Sequence, residues 1–372
     1  MSNISVNTIT DASGGSTASI NGLTPQASNM QPFNRIINGA MTIDQRNAGA
    51  AVTANNAYSV DRFKQEYSGS GATSLQQSTD APEGFAYSLK ATVTTADASL
   101  GASSFYQIMH SIEGYNISDI RLGNSLCKEM SLSFWVKASQ TGTYPFQLSN
   151  PAGTRCYPIS VAINTSNTWE YKTINISATT SGTFLGGNLN GLMLRMAFGF
   201  GANFIGATPN LWGDFSGYLV SFPTTTNNMM ATSGATFYIT GVQLEAGSSA
   251  SPFAHENYGD TLRKCQRYYE RVSYDTHRTV CASAYYNTID SYGAFLFYQK
   301  RSLPTFSVSA ASALKVYANG GTKTSTSVNF QDAATSSIRL NVGITPSTNP
   351  QGHGCWVEFV DAAGYFEIDA EL

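Results

Sequence analysis

Apolar and polar residues alternate along most of the chain, with the period of a β-strand that has one buried face. In residues 131–137, for example, Leu132, Phe134 and Val136 fall on one face. Comparable runs occupy residues 58–63, 85–91, 169–176 and 236–244. About nine such strands, separated by turn-forming clusters, predict a two-sheet sandwich of the jelly-roll type over residues 41–257.

A helical period follows Asp260, a residue type that favours the N-cap of a helix. The apolar positions after it recur at roughly helical spacing at Leu262, Cys265, Tyr269 and Val272. They predict a linking helix over residues 258–272. A shorter helix is expected at residues 118–122.

Residues 273–372 alternate again, and the last run, from residue 365, alternates as far as residue 372. This region predicts a smaller C-terminal β-sandwich. The predicted fold class is therefore all-β: a jelly-roll β-sandwich, a short linking helix and a smaller C-terminal β-sandwich.

The opening residues 1–40 form a separate segment. Ile4, Val6 and Ile9 indicate a short strand, and a turn-forming run at 11–16 precedes a second one. Two short strands cannot build a core alone. We expect this segment to pair with the body of the chain, with a sister subunit or with a larger assembly.

The chain carries few charges for its size. Charged residues make up 12% of 372 residues, where about 25% is usual. The net charge is −3 and no basic stripe is present, so a nucleic-acid partner is not expected. The densest basic cluster is expected on the solvated face of the predicted helix, at Arg263, Lys264, Arg267 and Arg271.

The sequence shows no pattern typical of membrane insertion or of export. No run of 18 apolar residues occurs, so membrane insertion is not expected. The first residues contain neither a basic region nor an apolar stretch of the kind that begins a secretory signal. The chain is therefore expected to be made in a cytoplasm.

The cysteines are scattered and odd in number, with no CxxC pair and no zinc-like Cys/His spacing. They are predicted to be reduced, mostly buried thiols, and neither a metal nor a cofactor is expected. They are Cys127, Cys156, Cys265, Cys281 and Cys355.

Catalytic motifs give little support to an enzyme. The chain lacks a GxSxG elbow, a Walker loop and a HExxH spacing among its histidines. His353 and Cys355 are interpreted as a turn residue beside a core thiol. Asp61, Glu170 and Glu245 lie in or beside predicted strands, and two of them could form the carboxylate pair of a glycosidase. Nothing marks one pair over another, so no catalytic residue is assigned and an enzyme is not expected.

Sugar binding is the more open question, because the chain is rich in aromatic, amide and hydroxyl groups. In each of the neighbouring pairs Phe134/Trp135 and Cys355/Trp356, the two side chains are expected on opposite faces of a strand, which allows at least one of each pair to be exposed. The tryptophans fit either a sugar site or a core or subunit interface. They are Trp135, Trp169, Trp212 and Trp356. A calcium ion at Asp61 or Glu245 is a further alternative, but ligand-binding residues stay unassigned.

Three groups of segments carry a family resemblance. The first comprises residues 34–49 and 58–63, the second 239–247, 252–253, 258–260 and 265–269, and the third 366–372. Together they resemble tail-fibre and related virion proteins of tailed bacteriophages, whose central region is similar to a carbohydrate-binding-module jelly roll. The resemblance covers residues 34–272 well and the C-terminal part more loosely. Its motifs are structural, so no binding residue is carried over.

The resemblance implies a homotrimer in the virion tail that adsorbs to the host surface, through a glycan. Residues 1–40 would join it to other virion proteins. Two alternatives stay open. One is a capsid decoration or other structural protein without a receptor, and the other is a polysaccharide depolymerase.

Overall fold

The computed structural model describes residues 34–215, 228–273, 279–346, 348–360 and 363–372. Most of the expected attachment segment, up to residue 33, lies outside this range. The chain divides into two compact units. In its described part, unit 1 comprises residues 34–42, 49–59, 63–215 and 228–256, and unit 2 comprises 43–48, 60–62 and the described residues from 257 onward.

Unit 1 is built from antiparallel strands, which its described residues place in two sheets. The sheet orders are β1-β4-β9-β6-β7-β10 and β2-β3-β11-β5-β8. The strands are β1 (Phe63–Ser68), β2 (Ala72–Ser78), β3 (Ser88–Thr95), β4 (Phe105–Glu113), β5 (Met130–Ala138), β6 (Gly142–Ser149), β7 (Arg155–Ile163), β8 (Glu170–Ile176), β9 (Asn190–Phe200), β10 (Gly213–Asp214) and β11 (Thr236–Ala246).

Aromatic side chains join the two sheets of unit 1. Phe134 on β5 has its ring centroid 5.0 Å from that of Phe146 on β6. Phe237 on β11 lies 5.4 Å from Phe198 on β9. All four side chains are fully buried, and each such ring removes roughly 150–250 Å² from water. The sandwich expected from the alternation is therefore confirmed.

Residues 34–42 close onto strand β11 within unit 1. The Asn34 side chain donates to the Val242 carbonyl oxygen (2.9 Å) and accepts from the Leu244 N–H (3.1 Å). The Val242 N–H donates to the carbonyl oxygen of Gly39 (3.0 Å). A Cβ at residue 39 would lie 2.1 Å from the Val242 oxygen, so only glycine fits there.

The helix expected at residues 118–122 is a single 3₁₀ turn, Ser118–Ile120. It ends because Arg121 adopts a left-handed backbone conformation, with φ of 61°.

Unit 2 contains helix α1 (Tyr258–Gln266) and nine strands in its described part. Strands β13, β14, β18, β17, β16 and β19 close into a barrel in that order, and β12, β20 and β15 form a separate sheet. The strands are β12 (Tyr269–Ser273), β13 (Thr279–Tyr285), β14 (Asp290–Leu296), β15 (Thr305–Val308), β16 (Leu314–Ala318), β17 (Gly321–Gln331), β18 (Ser337–Ile344), β19 (Gly354–Phe359) and β20 (Tyr365–Asp369).

The all-β fold class is confirmed, and the C-terminal part differs in detail from a two-sheet sandwich. Strand β13 pairs with β14 on one side and with β19 on the other, which closes the six strands into a barrel. The three-stranded sheet packs its apolar face on the barrel core through Phe366 and Ile368. Phe366 contacts Phe295 at 5.2 Å and Phe359 at 5.1 Å between ring centroids.

Helix α1 is shorter than the predicted range 258–272. It ends at Gln266, and β12 begins at Tyr269 because that stretch pairs with β20, from Tyr269 opposite Asp369 onward. The residue at its N-cap is Asn257, and Asp260 lies in the first turn. Within the described ranges, the helices lack the length and hydropathy that crossing a membrane requires.

The five cysteines are free thiols. Cys156, Cys265, Cys281 and Cys355 are buried and Cys127 is half-buried, as predicted. Burial raises the pKa of the Cys265 thiol well above its ordinary value. These thiols are therefore protonated and unreactive at neutral pH.

Parts of the segments that carry the family resemblance supply a largely buried set of charges in unit 2, Arg46, Asp61, Arg62 and Glu371, which we call the ion cluster. Arg62 is 1% exposed, pairs with the Glu371 carboxylate and lies 3.5 Å from the centre of the Tyr268 ring. Its backbone is in the left-handed region, with φ of 74°. For a long side chain this conformation is unfavourable, so its surroundings must fix it.

Arg46 supplies the second guanidinium of the ion cluster. Its Nη2 lies 3.3 Å from Glu371 Oε1 and 3.2 Å from Asp369 Oδ2. Its Nη1 lies 3.9 Å from Asp61 Oδ1, and the guanidinium stacks 3.4 Å from the centre of the Tyr269 ring. Each buried charge in the cluster thus has an opposite charge beside it, which is the condition for keeping ions out of water.

Burial shifts the pKa of the Asp61 carboxyl group. It is 1% exposed and accepts from the Gln45 N–H (3.1 Å) and the Gln45 side chain. Burial raises the pKa of Asp61 from 3.8 to about 6, although Arg46 and the hydrogen bonds from Gln45 oppose the rise. Glu371 adds to it through like-charge repulsion.

We expect Glu371→Gln to lower the free energy of unfolding of unit 2 by roughly 3–5 kcal/mol, because it leaves two buried guanidinium groups without their shared carboxylate. Urea unfolding of the full chain measures this. The matched control is Asp260→Asn, which breaks an exposed pair with Arg263 and should change stability by under about 1 kcal/mol. Equal effects of the two substitutions would contradict a structural role for the ion cluster.

The raised pKa of Asp61 predicts a pH dependence. Between about pH 4 and pH 6 the folded chain holds a proton that the unfolded chain releases, so Asp61's contribution to stability falls as pH rises through this window. The loss is roughly 3 kcal/mol across the two pKa values. Relative to Asp61→Asn, the native chain should therefore lose stability from pH 4 to pH 6.5 in urea titrations. A constant difference between the two proteins would show that the carboxyl stays ionised.

Candidate functional site

The tryptophans singled out by the sequence have different environments. Trp212 is 7% exposed, its Nε1–H donates to the Ser177 carbonyl oxygen (2.6 Å), and its ring packs against Tyr157 and Phe184. It is a core residue of unit 1 and is not available to a ligand.

Trp356 lies on the outer surface of the barrel in unit 2. It is 50% exposed while its neighbour Cys355 is buried, so the alternation argument is confirmed for this pair. The Trp356 ring is nearly parallel to that of Tyr317 on β16, with centroids 6.4 Å apart and 12° between the planes.

Trp135 and Trp169 lie in unit 1 on the outward side of the five-stranded sheet. Phe134 is fully buried and Trp135 is half-buried, as the alternation predicts. These two tryptophans belong to a group of rings that we call the aromatic face: Phe85, Trp135, Trp169, Tyr171 and Tyr238.

Strand pairing places the rings of the aromatic face side by side. Trp135 on β5 is opposite Tyr171 on β8, with ring centroids 5.3 Å apart. Tyr171 is 43% exposed and stands at the edge of the sheet. Tyr238 on β11 is opposite Lys137 on β5, and its ring lies 6.1 Å from that of Trp169.

A bulge in β11 makes room for two of these rings. The pairing of β11 with β5 shifts register between Thr240 and Gln243, and Gly241 within the bulge has φ of 62°. A Cβ at residue 241 would lie 2.7 Å from the ring of Phe85 and 3.3 Å from that of Trp135. Because residue 241 has no side chain, both rings can approach the strand closely.

An ion pair fixes the rings of Trp169 and Tyr238. The Lys137 Nζ lies 4.4 Å from the centre of the Tyr238 ring and 5.0 Å from that of Trp169. Asp80 pairs with Lys137 and also accepts from the Trp169 Nε1–H (3.3 Å). The rings are thus oriented before any ligand arrives, which reduces the entropy lost on binding.

The aromatic face combines groups suited to a sugar. Ring faces pack against the C–H groups of a pyranose, and carboxylate and ammonium groups hydrogen-bond to its hydroxyls. Asp80, with a half-exposed carboxylate, supplies an acceptor beside Trp169. Trp135, Tyr171 and Tyr238 lie on strands, which hold geometry better than loops do.

The outward side of the six-stranded sheet is polar but closed. Gln107, Gln147 and Arg195 project from it and are buried. Arg195 donates to Ser149 and Gln107 donates to Glu66 Oε2 (2.8 Å). The aromatic face is therefore the more accessible of the two outer sheet surfaces.

The three carboxylates considered for catalysis each have their own protein donors. Glu245 is buried and accepts from the N–H (2.7 Å) and the hydroxyl (2.8 Å) of Ser251. Burial tends to raise the pKa of Glu170, but hydrogen bonds from Lys172 and two backbone N–H groups outweigh it and lower that pKa. Asp61 belongs to the ion cluster of unit 2. All three therefore have structural roles.

In the part of the chain that is described, three or more His, Cys, Asp or Glu side chains nowhere gather as a metal site requires. The oxygens of Asp61 and Glu245, the residues considered for calcium, accept hydrogen bonds from protein donors. The expectation that no metal or cofactor is needed stays a prediction.

No family model and no curated protein matches the chain. Among solved structures it is similar to the enzymatically active domain of tailspike protein 4 of bacteriophage CBA120. The identity is 13%, the TM-score is 0.32, and the match covers 58% of this chain and 22% of that one. The chain therefore spans about a fifth of the length of that tailspike domain.

Carbohydrate-binding modules are also similar. The CBM22-1 xylan-binding domain of Paenibacillus barcinonensis Xyn10C shows 11% identity and a TM-score of 0.28, over 55% of this chain and 99% of that one. The family 11 module of Clostridium thermocellum Lic26A-Cel5E shows 11% identity and a TM-score of 0.29, over 57% and 99%. At these scores the similarities assign no function to this chain.

Sequence reasoning missed part of the aromatic face. Tyr238 alternates with buried apolar neighbours in the same way as Trp135, which is a signal that could have found it. Tyr171 lies between the half-buried Glu170 and Lys172 and gave a weaker signal. Asp80 and Phe85 could not be found in this way, because they lie outside the strands and only the fold brings them to the sheet.

Proposed function

We propose that this chain is a virion protein of a tailed bacteriophage, a tail fibre that attaches to the bacterial host by binding a surface glycan without cleaving it. The observation that carries the glycan part is the aromatic face of unit 1. Its rings are partly exposed, three of them stand on strands, and the Lys137–Asp80 pair fixes Trp169 and Tyr238.

Other parts of the proposal rest on the sequence. The segments that resemble tail-fibre proteins support a virion location, a homotrimer and attachment to other virion proteins through residues 1–40. The low charge and the wealth of hydroxyl and amide side chains suit a surface that meets glycans. The similarity to solved carbohydrate-binding modules and a tailspike domain adds no weight at its low scores.

We expect Trp135→Ala and Tyr171→Ala each to weaken binding of the full chain to host polysaccharide by about tenfold or more. Each removes a ring that, in the proposed site, packs against the ligand. In base–aromatic stacking sites, removing such a ring weakens binding by roughly 1–3 kcal/mol. Binding to purified capsule and lipopolysaccharide, immobilised on a biosensor, measures this.

Two controls sharpen this experiment. Tyr115→Ala removes a more exposed tyrosine elsewhere in unit 1 and should leave binding unchanged. Gln147→Ala tests the closed face of the six-stranded sheet; selective loss of binding there would move the site to that sheet. If neither cells nor polysaccharides bind the native chain, the receptor role is wrong and a structural role without a receptor is favoured.

The same incubations test whether the chain is catalytic. We expect no new reducing ends after prolonged exposure of the polysaccharide, because Asp61, Glu170 and Glu245 are all committed to structural contacts. Steady release of reducing sugar would instead make the chain a depolymerase.

We expect antibody against unit 2 to label the tail in electron micrographs of virions. A chain lacking residues 1–33, which keeps the contacts of residues 34–42 with β11, should be absent from purified particles. Labelling of the capsid would favour a decoration protein. Incorporation of the truncated chain would show that the expected attachment segment does not attach the chain through residues 1–33.

A further inference from the structure

The three-stranded sheet of unit 2 has a polar cavity on its outer side. The volume is about 260 Å³, and it is lined by Arg46, Tyr269, Thr305, Ser307, Glu367 and Asp369. It lies in unit 2 alone and shares no residue with the aromatic face.

The strand period explains why this side of the sheet is polar. On β15, Thr305 and Ser307 alternate with Phe306, which packs on the barrel core. On β20, Glu367 and Asp369 alternate in the same way with buried apolar residues. Register places Thr305 opposite Asp369 and Ser307 opposite Glu367, so hydroxyl and carboxylate groups form two adjacent pairs.

The polar groups are fixed in place. Glu367 Oε1 accepts from the Tyr269 hydroxyl (2.8 Å), and its Oε2 accepts from the Ser307 hydroxyl (2.9 Å). Asp369 is held by Arg46 at 3.2 Å and accepts from the Glu371 N–H (2.9 Å). A carboxylate offers about four acceptor positions, so both residues keep capacity for further donors.

Charge and size limit what the cavity can take. Two carboxylates beside one guanidinium disfavour an anion, and a hard cation lacks the three or more clustered ligands that a metal site needs within the described residues. The volume lies below the roughly 300–1,000 Å³ of drug-sized sites, which leaves room for about one ring. The ligand that fits is small, neutral and rich in hydroxyls.

We propose that this cavity binds one neutral monosaccharide-sized ring, with Glu367, Asp369 and the Ser307 hydroxyl oxygen accepting from its hydroxyls and Arg46 donating to its oxygens. This site is separate from the aromatic face. It depends neither on glycan binding there nor on the virion location.

The test is saturation-transfer NMR on the full chain with glucose, galactose, mannose and N-acetylglucosamine, followed by titration of any sugar that binds. Glu367→Gln should weaken binding by about tenfold or more, since it removes a charged acceptor. Ser307→Ala, an exposed and structurally mild change, should weaken it by a few-fold. The matched control Glu358→Gln removes a strand glutamate paired with Lys315 on the barrel and should leave binding unchanged.

Three outcomes would overturn the proposal. They are no transfer to any of the four sugars at about 100 mM, equal weakening by Glu358→Gln, and binding of glucuronate as tight as that of the neutral sugars. Trp135→Ala separates this site from the other: monosaccharide binding that persists in that variant supports the cavity, even where polysaccharide binding is lost. Loss of both would contradict separate sites.

Discussion

Unit 2 depends on the pairing of buried charges in the ion cluster. Arg62 and Arg46 are held away from water, and Glu371 touches both. Such groups cost several kcal/mol each to bury, and only an opposite charge at contact distance offsets this. The constraint explains why the short stretches 43–48 and 60–62 belong to unit 2 although the residues between them belong to unit 1. They bring the two guanidinium groups and Asp61 to the side-chain carboxylate of Glu371.

Local patterns predicted the strands well because they reflect burial of one face. Leu132, Phe134 and Val136 were placed on one side from the sequence, and all three are fully buried. The barrel could not be predicted in this way. Its closure depends on Cys281 of β13 pairing opposite Val357 of β19, and alternation carries no information about which distant strands meet. The end of helix α1 was misplaced for the same reason, since pairing with β20 overrides the helical spacing of residues 269–272.

The candidate site was predictable to a similar degree. Alternation indicated that at least one residue of each pair, Phe134/Trp135 and Cys355/Trp356, would reach the surface, and in both pairs it is the tryptophan. Alternation gave no prediction for Trp212, because this residue lies outside a regular run. Its burial depends on Tyr157 and Phe184. The Lys137–Asp80 pair joins residues 57 positions apart, so the orientation of Trp169 follows from tertiary structure alone.

The aromatic face stands on strands whose opposite side forms the sandwich core. Tyr171 and Tyr238 point outward while their neighbours along the strand point inward, so the two sides can vary independently. A site made of loops changes its preference by insertion and deletion, which alters backbone shape. On the proposed glycan role, preference would change by exchanging single rings on an unchanged backbone, and a lineage carrying this fold would acquire new ligands through point substitutions without repacking its interior.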